Sequence, residues 1–254
     1  MRWPVVISGA LLALLALFGA LLVQLPASHA LGWASRVVPE LAVAGAAGTV
    51  WRGTASRVAW RHYELGRIEW VLDPLPLATG RVNADVSIVG AIEAQGKVTG
   101  SLGGGQIAME AARCKAPAGW IQHILDAPFL QLEGTLEADI ERVELRDGFL
   151  VHLAGLVRWD PAAVTGRIRT DLGGLEILWT TEGERIRGDI SDTGGPLQAQ
   201  GAVAIVDRQY DVNLALAARG DAESLRQALY VVGVPDAEGR VELNITGELV
   251  SIHE

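Results

Sequence analysis

Beyond residue 80, apolar and polar residues alternate with a period of two along much of this chain. Residues 81–89 put Val82, Ala84, Val86 and Ile88 on one side and Arg81, Asn83, Asp85 and Ser87 on the other. Strict alternation of this kind predicts a strand buried on one face only. The pattern returns in Leu136, Ala138 and Ile140; in Ile168, Thr170 and Leu172; and in Leu197, Ala199, Gly201, Val203 and Ile205. It returns again in Tyr210, Val212, Leu214 and Leu216, then in Val241, Leu243 and Ile245. Its phase slips between Ile140 and Val143, which predicts a bulge or tight bend. One-sided alternation favours antiparallel pairing, because strands buried on both faces read as continuous apolar runs. The fold expected is mainly β: a curved antiparallel sheet of many short strands.

Glycines punctuate the strands at hairpin-like intervals, as turns and bulges demand. Asp147-Gly148 and Glu238-Gly239 read as turns, and Val206-Asp207-Arg208-Gln209 as the link between two alternating strands. Three short helices are expected. Residues 28–38 form one near the membrane surface. Residues 117–126 form another, with Pro117 at its first position. Residues 222–231 form the third, capped by Asp221 and carrying Leu225, Ala228 and Leu229 on its apolar side.

The opening of the chain has a different pattern. Residues 5–25 hold no charged side chain over 21 positions, running from Val5 through Leu12 and Leu17 to Leu25. A helix of that length is roughly 30 Å long and crosses a bilayer core. Ser28-His29-Ala30 also fits a signal cleavage site, but secretory apolar cores usually run about 7–15 residues, so the length favours an uncleaved anchor. The division that follows is an anchor over residues 1–27, a first β-rich half over 28–116 and a second, with short helices, over 117–254. A weak repeat suggests related halves. Gly48-Thr49-Val50 leads to Trp70 and Asp73-Pro74, as Gly134-Thr135-Leu136 leads to Trp159-Asp160-Pro161. Chance similarity among glycine-rich strands accounts for it almost as well.

Charge and cysteine content narrow the function classes. A net charge of −9 argues against nucleic-acid binding, which needs clustered cations. Cys114 stands alone, so no internal disulfide forms, and it reads as a small, partly buried hydrophobe. Eight tryptophans outnumber three phenylalanines and three tyrosines. Trp33 suits a bilayer interface, and Trp51, Trp60, Trp70, Trp159 and Trp179 lie in strand-like stretches where core packing is the default.

The search for chemistry finds little. Residues 90–97 resemble a phosphate loop but have the wrong glycine spacing, and Val98 stands where a magnesium-binding hydroxyl is needed, so they read as a turn. No Gly-x-Ser-x-Gly surrounds a serine, and His29, His62, His123, His152 and His253 are scattered without metal-ligand spacing. The local acidic cluster of Glu133, Glu137, Asp139, Glu141 and Glu144 matches no calcium loop; alternate positions Glu137, Asp139 and Glu141 read as the wet face of a strand. No catalytic, metal-binding or cofactor-binding residue is assigned, and an enzyme is not expected.

One family resemblance emerges from residues 25–89. Leu25-Pro26-Ala27 is followed by Gly48-Thr49-Val50-Trp51-Arg52-Gly53-Thr54-Ala55, then by Ile68-Glu69-Trp70-Val71-Leu72-Asp73-Pro74 and Gly80-Arg81-Val82. This resembles protein N of the type II secretion system, the general secretion pathway. The resemblance implies a single-pass protein of the bacterial inner membrane with a periplasmic β domain. It implies a non-enzymatic accessory of protein transport, with other inner-membrane subunits or the secretin as partners. It singles out Gly48, Thr49, Trp51, Gly53, Trp70 and Pro74 as structural or interaction residues. No cofactor and no nucleic acid are implied. The alternative resemblance is to AsmA-like periplasmic proteins, which implies lipid binding or transfer; there the aliphatic faces of consecutive strands lack a covering layer.

Overall fold

The computed structural model describes residues 26–27, 41–60, 63–103, 105–123, 131–166, 169–220 and 222–249. Within them, 13 strands form one sheet whose spatial order is the sequence order, β1 to β13. The strands are β1 (Leu41–Gly48), β2 (Arg52–Trp60), β3 (Tyr63–Leu72), β4 (Arg81–Val89), β5 (Glu93–Ser101) and β6 (Gln106–Pro117). After these come β7 (Gln131–Arg146), β8 (Phe149–Thr165), β9 (Arg169–Glu182) and β10 (Arg185–Gly194). The sheet ends with β11 (Leu197–Val206), β12 (Gln209–Ala218) and β13 (Arg240–Glu248). Every pairing is antiparallel, as one-sided alternation requires.

Several turns fall where the residues put them. Asp147 and Gly148, both at positive φ, join β7 to β8, and Asp207 and Arg208, also at positive φ, join β11 to β12. Two successive positive φ values suit a tight hairpin, because they match the twist of the flanking strands. The phase slip after Ile140 is a bulge: Ile140 faces Gly155 and Arg142 faces Ala154, so Glu141 is the extra residue. Residues 90–97 are the turn between β4 and β5 and the start of β5.

Other expectations need correction. The strands are not uniformly short: β7, β8 and β9 run for 16, 17 and 14 residues. Bulges let such long strands keep one apolar side by resetting the alternation partway. Of the helix expected over 117–126, the described part is a 3-10 turn, Ala118–His123, and residues 124–126 lie outside the described residues. Pro117 ends β6 instead of opening a helix, because Ala116 and Pro117 continue the ladder opposite Leu136 and Thr135. A one-turn helix α1 (Pro74–Leu77) was not foreseen; the Asp73 carboxylate accepts the Leu75 N–H at 3.0 Å and caps it. Helix α2 (Glu223–Val232) matches the third expected helix, with Ala222 at its N-cap and no side-chain cap. The apolar segment with Val5, Leu12, Leu17 and Leu25, the helix at 28–38, Trp33 and Asp221 lie outside the described residues. Among the described residues no helix is long and apolar enough to cross a membrane.

Buried apolar residues run along the sheet, among them Ala55 and Val58 of β2, Ala112 and Ala116 of β6 and Ile186 of β10, and the cluster covered by a helix sits at one end. Leu225 and Leu229 of α2 pack on Leu197, Ala199 and Val241 of β11 and β13, with Leu175 and Leu216 beside them. Burying each leucine contributes about 1.5–3 kcal/mol. This contact joins the amphipathic stripe of α2 to the apolar side of the sheet.

Candidate functional site: an open apolar sheet face

Register lines up the apolar positions of all strands. Pairing carries Ala46 to Ala55, Ile68, Ile88, Ala94, Cys114, Ala138, Val157, Ile177, Ile190, Gly201, Leu214 and Leu243. This row crosses the whole sheet without a charged or amide side chain. At about 4.8 Å per strand it is roughly 58 Å long.

The opposite face is polar and pairs its own charges. One row reads Glu93, Lys115, Glu137, Arg158, Glu176, and another Asp85, Lys97, Glu110, Arg142. Signs alternate at every step in both rows, and opposite charges directly across a ladder attract while like charges repel. Lys115 Nζ reaches Glu137 Oε1 at 2.8 Å, and Arg142 Nη1 reaches Glu110 Oε1 at 3.1 Å. The hydrogen bond from Lys115 holds the Glu137 carboxyl below its ordinary pKa. An open hollow of about 1120 Å³ lies on this side, lined by Gln95, Arg113, Lys115, Glu137, Asp139 and Arg158 among others. Its cations Arg113, Lys115 and Arg158 are paired with Asp139, Glu137 and Glu176. Glu137, Asp139 and Glu141 belong to this wet face, as expected.

Glu144 departs from the wet-face pattern. It is buried, and its carboxylate accepts from Gln106 Nε2 at 2.8 Å, Arg142 Nη2 at 2.9 Å and Arg146 Nη2 at 3.1 Å. The Arg142 hydrogen bond leads the causes that hold its pKa below the usual glutamate value. Among the described residues no cluster of three or more His, Cys, Asp or Glu is arranged to hold a metal ion. Burial pushes the Cys114 thiol up, away from thiolate character.

Covering of the apolar face is uneven. At the α2 end Leu197, Ala199 and Val241 are buried. Over β4–β8 the large aliphatics of the same face, Val82, Val86, Ile88, Val98, Ile140 and Val157, are only half-buried, and Met109 is exposed. Among the described residues α1 touches β4, the 3-10 turn touches β7, and α2 touches β9, β12 and β13. No second sheet lies over the face among these residues.

The residues quoted for the family resemblance converge on one corner of that face. Gly53 of β2 lies opposite Trp70 of β3, and a Cβ on Gly53 would come within 2.3 Å of the indole ring. Absence of a side chain there lets Trp70 lie across β2, and its Nε1–H donates to the Val50 carbonyl at 2.9 Å. Thr49 N–H donates to the Arg52 carbonyl at 2.9 Å, and Arg52 N–H donates back to Thr49 Oγ1 at 3.2 Å. Gly48 holds φ +89, and a Cβ there would strike the Arg52 carbonyl. Leu72 N–H donates to the Trp51 carbonyl at 2.7 Å, and Pro74 begins α1 just beyond. Pro26, the first residue after the apolar segment, bridges to Thr49 in this corner.

A second corner repeats the geometry. Trp159 of β8 faces Leu136 of β7 and donates Nε1–H to the Glu133 carbonyl at 2.8 Å. In both corners the acceptor lies three residues before the strand partner of the tryptophan: Val50 before Gly53, and Glu133 before Leu136.

A family model described as "Type II secretion system (T2SS), protein N" matches residues 39–244. The chain belongs to that family. It is 26% identical over 248 residues to type II secretion system protein N of Vibrio cholerae, covering 92% of this chain and 94% of the relative. It is 25% identical over 252 residues to the protein of the same name from Aeromonas hydrophila, covering 94% of this chain and 97% of the relative. No solved structure matches. The family accordingly brings the chain into the type II secretion machinery as an accessory component. Two features were not read from the residues: the apolar row through all strands, and the buried carboxylate of Glu144. The first was legible in part, as alternating positions; its alignment across strands depended on bulges that only register reveals.

Proposed function

We propose that this chain is a non-enzymatic accessory subunit of the type II secretion machinery. Residues 5–25 hold it in the bacterial inner membrane as a single span, and the β domain works in the periplasm. There it contacts other inner-membrane subunits or the secretin. Family membership carries the reading. The uncharged run of 21 residues supports the anchor, since that length spans a bilayer core. The Pro26–Thr49 bridge supports a short tether between membrane and sheet. A tether raises the local concentration of the domain among neighbouring membrane subunits.

The test is secretion itself. Deleting the gene in a host that secretes folded proteins by this route is expected to leave those proteins in the periplasm. The full chain restores export, and a version lacking residues 1–27 but given a cleavable signal does not. Unchanged export in the deletion strain would contradict the reading.

A further inference from the structure

We propose that the outer edge of β13 takes up an extended segment of another polypeptide as an added strand. The segment carries basic residues at its first and seventh positions and apolar residues at its second, fourth and sixth. This assigns a docking edge and a sequence pattern, and it rests on the secretion reading only in that the chain works by contacting other polypeptides.

Backbone direction opens the edge. The Leu249 N–H donates to the Arg208 carbonyl at 2.7 Å, and these two residues continue the β12–β13 register. Opposed residues of an antiparallel pair alternate between exchanging both hydrogen bonds and exchanging none. Residues 241, 243, 245 and 247 therefore bond to β12, while Glu242, Asn244, Thr246 and Glu248 turn N–H and C=O outward. Among the described residues no strand lies beyond β13. Its ladder has no register shift and its sequence no proline, so neither a bulge nor a missing donor blunts the edge. The Arg240 carbonyl is taken by the Asp236 N–H at 2.8 Å, so the free edge starts at Glu242. The other end of the sheet differs: Gly45 stands at φ +70 within β1, and Pro26 bridges Thr49 just past it.

Charge chooses the occupant. Glu242 faces Ala215 and Glu248 faces Gln209, so neither carboxylate meets the opposing cation found along the rows of β4–β9. They stand six positions apart on the polar face. An added strand sets its first and seventh side chains opposite them, and basic residues there continue the alternation of sign. Its second, fourth and sixth side chains fall on the side of Leu243 and Ile245, the latter 49% exposed. Tyr230, Val232 and Val234 are exposed as well. A Cβ on Gly233 would come within 2.6 Å of Val241 Cγ1, so this apolar outcrop stands at the start of the β13 edge. Open backbone groups beside exposed apolar side chains suit a partner bound by strand addition. This chain does not supply the segment. Its one pair of basic residues six positions apart, Arg61 and Arg67, has His62, Glu64 and Gly66 at the alternate positions between. The occupant is therefore a different polypeptide and not a second copy.

The test uses the full-length chain in neutral detergent and a synthetic peptide of that pattern. The peptide has lysine at both ends, valine and threonine alternating between them, and a photoactivatable apolar residue at its fourth position. Label is expected on β13 and on residues 230–234. A peptide with glutamate at both ends is expected to label roughly tenfold less, because two exposed ion pairs become two like-charge contacts. Glu242→Lys combined with Glu248→Lys is expected to reverse that preference. Asn244→Pro removes an outward N–H and spares the bonds to β12, so it is expected to lose the label while circular dichroism shows the sheet retained. If the proline unfolds the sheet, the charge-reversed variant decides alone.

Equal labelling by both peptides overturns the proposal, as does label on β1 in place of β13, or none on β13 at the highest soluble concentration. A photoactivatable residue replacing Thr246 that captures a second copy in preference to the peptide also overturns it. Export separates this inference from the secretion reading. A deletion strain that loses export, with no peptide at β13, defeats the edge and leaves the secretion reading standing. Peptide bound at β13, with export unchanged in the deletion strain, does the reverse.

Discussion

The Arg208 guanidinium lies over the ring of Phe149, 4.5 Å from its centroid, although the strands they flank are not neighbours. Phe149 opens β8, and Arg208 sits in the turn from β11 to β12, with the β9–β10 hairpin between them. The β7–β8 and β11–β12 hairpins therefore meet past the intervening one. A cation–aromatic contact at an exposed site is worth about 0.5–1 kcal/mol. Arg208→Ala and Phe149→Leu, alone and combined, are expected to give a coupling of that size in a chemical-denaturation double-mutant cycle. Strictly additive changes would show that the two hairpins do not support each other.

The two tryptophan corners make matching predictions. Trp70→Phe keeps the apolar ring but leaves the Val50 carbonyl without its indole donor, and Trp159→Phe does the same to Glu133. Each is expected to lower stability by about 1–2 kcal/mol. Trp70→Ala also empties the space over Gly53 and is expected to cost about 3 kcal/mol or more. Calorimetry on the purified protein measures all three. A Trp70→Ala protein of unchanged stability that has lost its partners would make Trp70 a contact residue.

Acid sensitivity follows from two carboxylates. Asp192 accepts from both Nη atoms of Arg219, at 2.6 and 3.1 Å, and from the N–H groups of Gly194 and Ala199, each at 3.1 Å. The Arg219 hydrogen bonds foremost hold its pKa down, as Arg142 does for Glu144. Each folded pKa lies below the ordinary value, 3.8 for Asp and 4.5 for Glu. The stability these groups contribute is therefore complete above about pH 4.5 and is lost as pH falls through the folded values. The combined change Asp192→Asn and Glu144→Gln is expected to flatten the fall in melting temperature below about pH 4.5. An unchanged acid limb would rule out these sites as its source.

The ladder on the polar face predicts a salt effect. Lys115→Glu would align a run of like charges from Glu93 to Glu137. The variant is expected to melt lower than the parent at low ionic strength and to recover much of the loss in molar salt, because exposed charges are screened. Equal loss at both salt concentrations would mean that something other than like-charge repulsion is responsible.

How much of this was legible in the residues depends on the range of the interaction. Alternation in residues 81–89 and 197–216 is local, so strand identity and the buried side could be read directly. The Ile140–Val143 slip was readable for the same reason. Pro117 misled because its preference for a first helical turn is local, whereas the ladder to Thr135 that holds it extended is not. Glu144 read only as one member of a local acidic cluster; the amide that bonds it in its buried place, Gln106, is 38 positions away. The tryptophan repeat was visible as spacing, but its shared hydrogen bond needed the strands paired. The open face needed most of all, since no single strand reveals whether anything covers it.

The most direct measurement is mild cross-linking of the full-length, tagged chain in native membranes, followed by mass spectrometry of what it captures. The account predicts inner-membrane platform subunits of the type II secretion machinery, or its secretin, among the products. A chain that is membrane-bound and well expressed yet captures none of these subunits would contradict it.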